Sequence, residues 1–283
     1  MTRLLACLDV SHYSQTVCEH AAWAASRLDA TVELLHVIQR NATEEVREEL
    51  GDTMDLASKP GLLDEILSLK VAEGHLAGRQ GELLLQAATD QLRALGIERI
   101  ETTQREGGIV ETITEREAFS DMVIIGKRGA QANFAKGHLG SKVERVVRQC
   151  QKPVLVATRV YKQPQRIAIA FDGGPSSRKA LEYVSTSPLF GGLEIDIALV
   201  GGYTDRNAAH IDWAQSQFTG RPGVTAIQRE GSPDGVLQQL ALERAIDMFV
   251  MGAYGHSPLR RMLVGSTTTQ MIRSGQMSVL LFR

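Results

Sequence analysis

The chain contains itself twice. RLLACLDV (3–10) is answered by RIAIAFDG (166–173), which sets Asp9 and Asp172 163 positions apart, each just beyond an apolar run. A serine follows each aspartate by five residues (Ser14, Ser177), and a valine ending a second apolar run follows by 28 (Val37, Val200). QREG occurs at 104–107 and again at 228–231. SDMVIIGKRG (120–129) matches IDMFVMGAYG (246–255), and GSKVERVVRQCQKPVLVAT (140–158) matches GSTTTQMIRSGQMSVLLF (265–282). Six matches in one order define a tandem duplication, which constrains the architecture more than any single motif.

The expected domains are 1–160 and 164–283, joined around RVYKQPQ (159–165). Between Val37 and QREG the first half is longer by 39 residues, mostly within 39–80. There EEVREEL and LLDEILSLKVAEGHL read as helical on either side of Lys59-Pro60-Gly61. A lid, a partner surface or an extra packed layer would each suit that excess, and packing is the simplest of the three.

Apolar runs of five to seven residues alternate with helical stretches such as QTVCEHAAWAASRL, GELLLQAATDQLRAL and DGVLQQLALERA. MVIIG, PVLVA and MFVMG are almost wholly apolar, as strands covered on both faces must be. The expected fold class is therefore α/β: two tandem doubly wound domains, each with a five-stranded parallel sheet. In such sheets a ligand lies outside the carboxyl ends of the strands, where the strand order reverses. Most of the repeated motifs fall at those ends.

Composition narrows the function classes. A hydrophobic share of 43% allows sizeable cores, and a net charge of −2 gives no basic footprint for nucleic acid. No run approaches the roughly 20 apolar residues of a membrane span. The opening MTRLLACLDVSHYS has neither the apolar region nor the cleavage site of a signal peptide. Three cysteines without CxxC spacing suit a reduced, cytoplasmic setting. Walker, zincin, zinc-finger and nucleophile-elbow motifs are all missing from the sequence.

The glycines are the candidate chemistry. The second half reads Gly252-x2-Gly255-x9-Gly265-Ser266, and the first reads Gly126-x2-Gly129-x10-Gly140-Ser141. Glycines admit close approach to the backbone, and a hydroxyl-rich helix start offers free amides to an anion. Turns and helix caps explain one copy, but three glycines and a serine kept in both copies ask for more. Asp172 suits Mg²⁺, a metal-bound water or a ligand hydroxyl, or simply a helix cap. Val200 offers backbone groups to a base edge.

With these residues the chain resembles the universal stress protein family in its tandem form, over both halves except the 39–80 excess. Residues 252–266 match the family's ATP-binding pattern G-x2-G-x9-G-S/T. The resemblance implies an adenine nucleotide α-hydrolase-like fold and ATP, with Mg²⁺ optional. It places adenine near Asp172 and Val200, ribose near Gly252 and Gly255, and phosphates at Gly265, Ser266 and Thr267. The first-half counterparts are Asp9, Val37, Gly126, Gly129, Gly140, Ser141 and Lys142. That half departs by one loop residue and by Val10-Ser11, so the second half ranks first. Lys127, Arg128 and Lys136 add charge there, with solvation as the ordinary explanation. The resemblance also implies binding rather than rapid turnover of nucleotide, slow hydrolysis remaining open, and halves packed against each other. PVLVAT and SVLLF are candidates for that contact, and a homodimer of whole chains is left open. Two competing readings are a scaffold without nucleotide and an ATP pyrophosphatase, whose SGGxDS loop FDGGPSS (171–177) partly resembles.

Overall fold

A computed structural model describes residues 1–39, 60–128, 141–253, 266–274 and 277–283. The first half runs β1 (Arg3–Leu8), α1 (Tyr13–Leu28), β2 (Thr31–Ile38), α2 (Pro60–Ala94), β3 (Ile100–Glu106), α3 (Ile109–Glu117), β4 (Met122–Gly126), α4 (Ser141–Gln149) and β5 (Val154–Ala157). The second runs β6 (Arg166–Ala170), α5 (Pro175–Thr186), a short 3-10 turn (Pro188–Phe190), β7 (Glu194–Val200) and α6 (Asp205–Ser216). It continues with β8 (Val224–Arg229), α7 (Pro233–Glu243), β9 (Met248–Gly252), α8 (Ser266–Ser274) and β10 (Ser278–Phe282).

Among the described residues these strands make one sheet, ordered β3-β2-β1-β4-β5-β10-β9-β6-β7-β8. Within each half all pairings are parallel. The halves meet where β10 pairs antiparallel with β5, Leu280 opposite Leu155. In each half the order reverses beside the first strand, between β1 and β4 and between β6 and β9.

Period-two alternation sends Leu4, Ala6 and Leu8 to one face and Leu5 and Cys7 to the other. The first face is covered by α1, α2, α5 and α6, the second by α3, α4, α7 and α8. Fully buried leucines such as Leu4, Leu5, Leu34 and Leu35 each contribute about 1.5–3 kcal/mol relative to exposure. Both layers run through the junction: Leu155 and Leu280 share one cluster, and Val156 and Val279 share the other.

The excess of the first half is partly explained. LLDEILSLKVAEGHL and GELLLQAATDQLRAL, separate stretches in the sequence reading, belong to one helix of 35 residues, α2. Glycines weaken a helix interior, but here Gly81 lies against His36 and Gln104, and the Gln104 amide donates to the Gly78 carbonyl (3.2 Å). Leu85, Ala88 and Leu92 then pack the helix on the sheet. EEVREEL lies outside the described residues.

The duplication reaches into the polar core. Glu33 on β2 and Asp196 on β7 have side chains with no exposure, and each meets two arginines. Glu33 takes Arg3 (3.3 Å) and Arg116 (2.6 Å); Asp196 takes Arg166 (3.6 Å) and Arg244 (2.9 Å). Asp121 and Asp247 stand at the opposite sheet edge from the candidate site. Asp121 accepts the Arg3 amide (2.9 Å), and Asp247 accepts those of Gln165 (2.8 Å) and Arg166 (3.0 Å). These four carboxylates hold the two starts of the fold in register.

Candidate nucleotide site at the carboxyl edge of the sheet

In the second half β7, β6 and β9 are neighbours, so Val200, Asp172 and Gly252 share one edge. At about 4.8 Å per strand, Val200 and Gly252 stand roughly 10 Å apart across that edge. Asp9, Val37 and Gly126 occupy the same places on β1, β2 and β4. The sequence-derived residues on described strand ends therefore converge, once in each half.

The loop after β6 is built by glycine. Gly173 has φ of 73°, a conformation that side chains resist, and it precedes Gly174, the N-cap of α5, and Pro175. Asp172 folds back on this turn: its Oδ1 accepts from the Gly174 amide (2.9 Å) and from the Ser177 hydroxyl (2.6 Å). The serine five residues on is thus the partner of the aspartate. In the first half Ser14 serves the Asp9 backbone instead, accepting from its amide (3.1 Å), and Ser11 takes over the Asp9 carboxylate. Replacing Gly-Gly by Val10-Ser11 accounts for that exchange.

The first glycine of each motif answers to helix packing. A Cβ on Gly252 would stand 2.9 Å from the Ser176 Cβ and 3.1 Å from the Ser177 amide nitrogen. On Gly126 it would stand 2.5 Å from the Tyr13 Cβ. The starts of α5 and α1 fill the space that the missing side chains leave.

The helix start follows. Thr268, buried in α8, donates its hydroxyl to the Gly252 carbonyl (3.0 Å), fastening the first turn of α8 to the end of β9. Backbone amides of a first turn lack partners within their helix, and the helix dipole makes that end positive. Ser266 opens α8 and Thr267 follows, half-buried; Ser141 opens α4, with Lys142 half-buried after it. Gly129, Gly140, Gly255, Gly265 and Lys136 lie outside the described residues.

Val200 ends β7 opposite Arg229, and Val37 pairs with Arg105. The side chains of both valines pack against the core of the second face. The turn beyond Val200 is pinned: Asn207 donates to the Gly202 carbonyl (2.8 Å), and Gln228 to Gly202 (2.9 Å) and Gly201 (3.3 Å).

Three features escaped the sequence reading. Thr268 is one of four consecutive hydroxyl residues in GSTTTQ, and nothing in the sequence sets it apart. Lys127, read as a solvated charge, is buried, and burial together with Arg128 lowers its pKa to about 8. Its second-half counterpart is the buried Ala253, so the two halves differ in charge at this position. Finally, α6 lays rings over the β6 loop: Trp213 stacks on Phe171 (5.7 Å, 16°), His210 meets Phe171 edge-on (6.2 Å), and the Arg178 guanidinium lies 4.0 Å from the Trp213 ring centre. The spacing of three between His210 and Trp213 was the available signal.

Among the described residues no group of three metal-ligating side chains occurs, and no helix is long and apolar enough to cross a membrane. Cys7, Cys18 and Cys150 are free, and burial raises each thiol pKa, to about 12 for Cys18.

Comparison with known proteins bears on the family and the fold. The model of the universal stress protein family matches residues 1–158 and 198–283. A universal stress protein from Synechocystis is 30% identical over 287 residues, with all of both chains covered. A universal stress protein structure from Archaeoglobus fulgidus superposes with a TM-score of 0.76 at 20% identity, covering 99% of this chain and 98% of that one. A structure described as a putative universal stress protein from Pseudomonas aeruginosa gives 0.63 at 15% identity, covering 100% and 93%. At those identities the two structures speak for the fold alone.

Proposed function

Because the chain belongs to the universal stress protein family, we propose that it binds ATP at the carboxyl edge of the second half and acts as a nucleotide-dependent regulator. One observation carries the reading: the unbroken Gly-x2-Gly-x9-Gly-Ser pattern of 252–266 runs from the end of β9 to the start of α8. The Thr268–Gly252 bond sets that helix start beside the point where the strand order reverses. Anions are held best where unpaired amides and a positive dipole end coincide. Gly265, Ser266 and Thr267 would hold phosphates, Gly255 the sugar, and the edge between Asp172 and Val200 the base.

The first turn of α5 already fills the Cβ direction of Gly252, so a ribose would lie on the other side of that backbone. Asp172 would keep the loop in shape, since its Oδ1 is engaged by Gly174 and Ser177. Mg²⁺, where present, would arrive with the phosphates and supply charge neutralisation. In the first half Lys127 would add a cation near the phosphates, beside Gly126, Gly129, Gly140 and Ser141. The domains would divide as 1–160 and 164–283, and the apolar pairing of β5 with β10 would fix their relation.

An ATP pyrophosphatase role fits less well. The Gly174 amide, which such a loop would offer to pyrophosphate, is given to the Asp172 carboxylate instead. Equilibrium dialysis with ATP tests the proposal. Gly265→Val should remove the second-half site with the fold intact, and Gly140→Val should spare it. Equal binding by the Gly265→Val variant and the wild type would refute it.

A further inference from the structure

Resting on the nucleotide reading above, we infer that His210 is the specificity-determining residue of the second cradle, its imidazole forming the wall against which the base lies. The placement comes from both sides of the edge. Helix α6 follows β7 after a pinned turn, and Thr204 caps its start by accepting the Asn207 amide (3.3 Å). His210 then reaches back over the loop that leaves β6. A Cβ on Gly173 would stand 2.2 Å from the ring's Cε1 and Nδ1, so any other residue there would push the imidazole away. The loop cannot retreat either: Arg178 Nε donates to the Gly173 carbonyl (3.0 Å) while its guanidinium covers Trp213.

His210 is half-buried, and its ring lies against Gly173, the residue that follows Asp172 where the chain leaves β6. The flat imidazole gives a stacking surface beside that strand end. Stacking on an aromatic side chain favours a base over a bare phosphate chain. Purines present more ring than pyrimidines. The ligand class is therefore a purine nucleotide, with His210 acting on its base and α8 on its phosphates.

The test uses the full chain carrying Gly140→Val, which leaves one cradle, with ATP, CTP and inorganic tripolyphosphate as probes in equilibrium dialysis. His210→Ala should weaken ATP roughly tenfold, narrow the preference for ATP over CTP, and leave tripolyphosphate unchanged. His210→Phe should restore most of the ATP affinity. Unchanged ATP binding, tighter ATP binding, or equal loss of ATP and tripolyphosphate would each overturn the assignment to the base. If the parent protein bound ATP and His210→Ala bound it equally well, the inference alone would fall. If the parent protein did not bind ATP, the nucleotide reading would fall and the inference with it. Circular dichroism melting confirms that the variants compared are folded.

Discussion

Acid should weaken this protein through one histidine. His20 lies on α1, 1% exposed, against the strand that joins the halves. Its Nδ1 faces the Thr16 carbonyl at 2.7 Å, an oxygen that only accepts, so the proton resides on Nδ1. Its Nε2 stands 2.7 Å from the Ser278 hydroxyl of β10 and accepts from it. The ring also meets Tyr161 edge-on at 4.9 Å. Burial lowers the His20 pKa from 6.5 to about 4, despite the favourable Thr16 carbonyl. Between those values the unfolded chain binds a proton that the folded chain refuses. The stability present above pH 6.5 is therefore lost as pH falls towards about 4, by about 1.4 kcal/mol per pH unit and about 3 kcal/mol in total. Urea denaturation of the wild type and His20→Gln across this window isolates the effect. At neutral pH the variant should be less stable by about 1–3 kcal/mol, for the lost ring contacts. The gap should close or reverse in acid. A gap constant with pH would refute the reasoning.

Other perturbations have calculable directions. Gly252→Ala forces a Cβ to 2.9 Å from Ser176 and 3.1 Å from the Ser177 backbone, and should cost about 1–3 kcal/mol in urea denaturation; an unchanged midpoint would show that α5 moves freely. Glu33→Gln leaves Arg3 and Arg116 without their buried partner, and Asp196→Asn does the same to Arg166 and Arg244. Each should cost about 3–5 kcal/mol. The two carboxylates are seven strand steps apart, roughly 34 Å, so the losses should add in the double variant. Non-additivity above about 0.5 kcal/mol would mean that the halves share this network. Saturating ATP at about 100 times its Kd should raise stability by about 2.7 kcal/mol, read as a rise in Tm, and no shift would count against binding.

The fold was legible because duplication made each weak signal appear twice. The parallel, doubly wound arrangement followed from continuous apolar runs and helical connections, which admit few topologies. The convergence of Asp172, Val200 and Gly252 was legible for the same reason, since strand ends in a parallel sheet share an edge. The reasons for particular residues were less so. Gly252 reads as room for a ligand until Ser176 is seen beside it, because close approach between elements distant in sequence leaves no local pattern. Glu33 and Asp196 stand 163 positions apart and repeat, yet a charge inside an apolar run tells nothing of the arginines that compensate it. The continuity of α2 was hidden by glycines at 74, 78 and 81, which read as breaks in sequence, although the last two mark contacts with Gln104 and His36 in space.

The account turns on where a triphosphate sits. A crystal structure of the protein grown with ATP should show the phosphates at the first turn of α8 and the base between the ends of β6 and β7, against His210. Electron density for ATP at any other place, or none on that edge under conditions that saturate binding in solution, would contradict it.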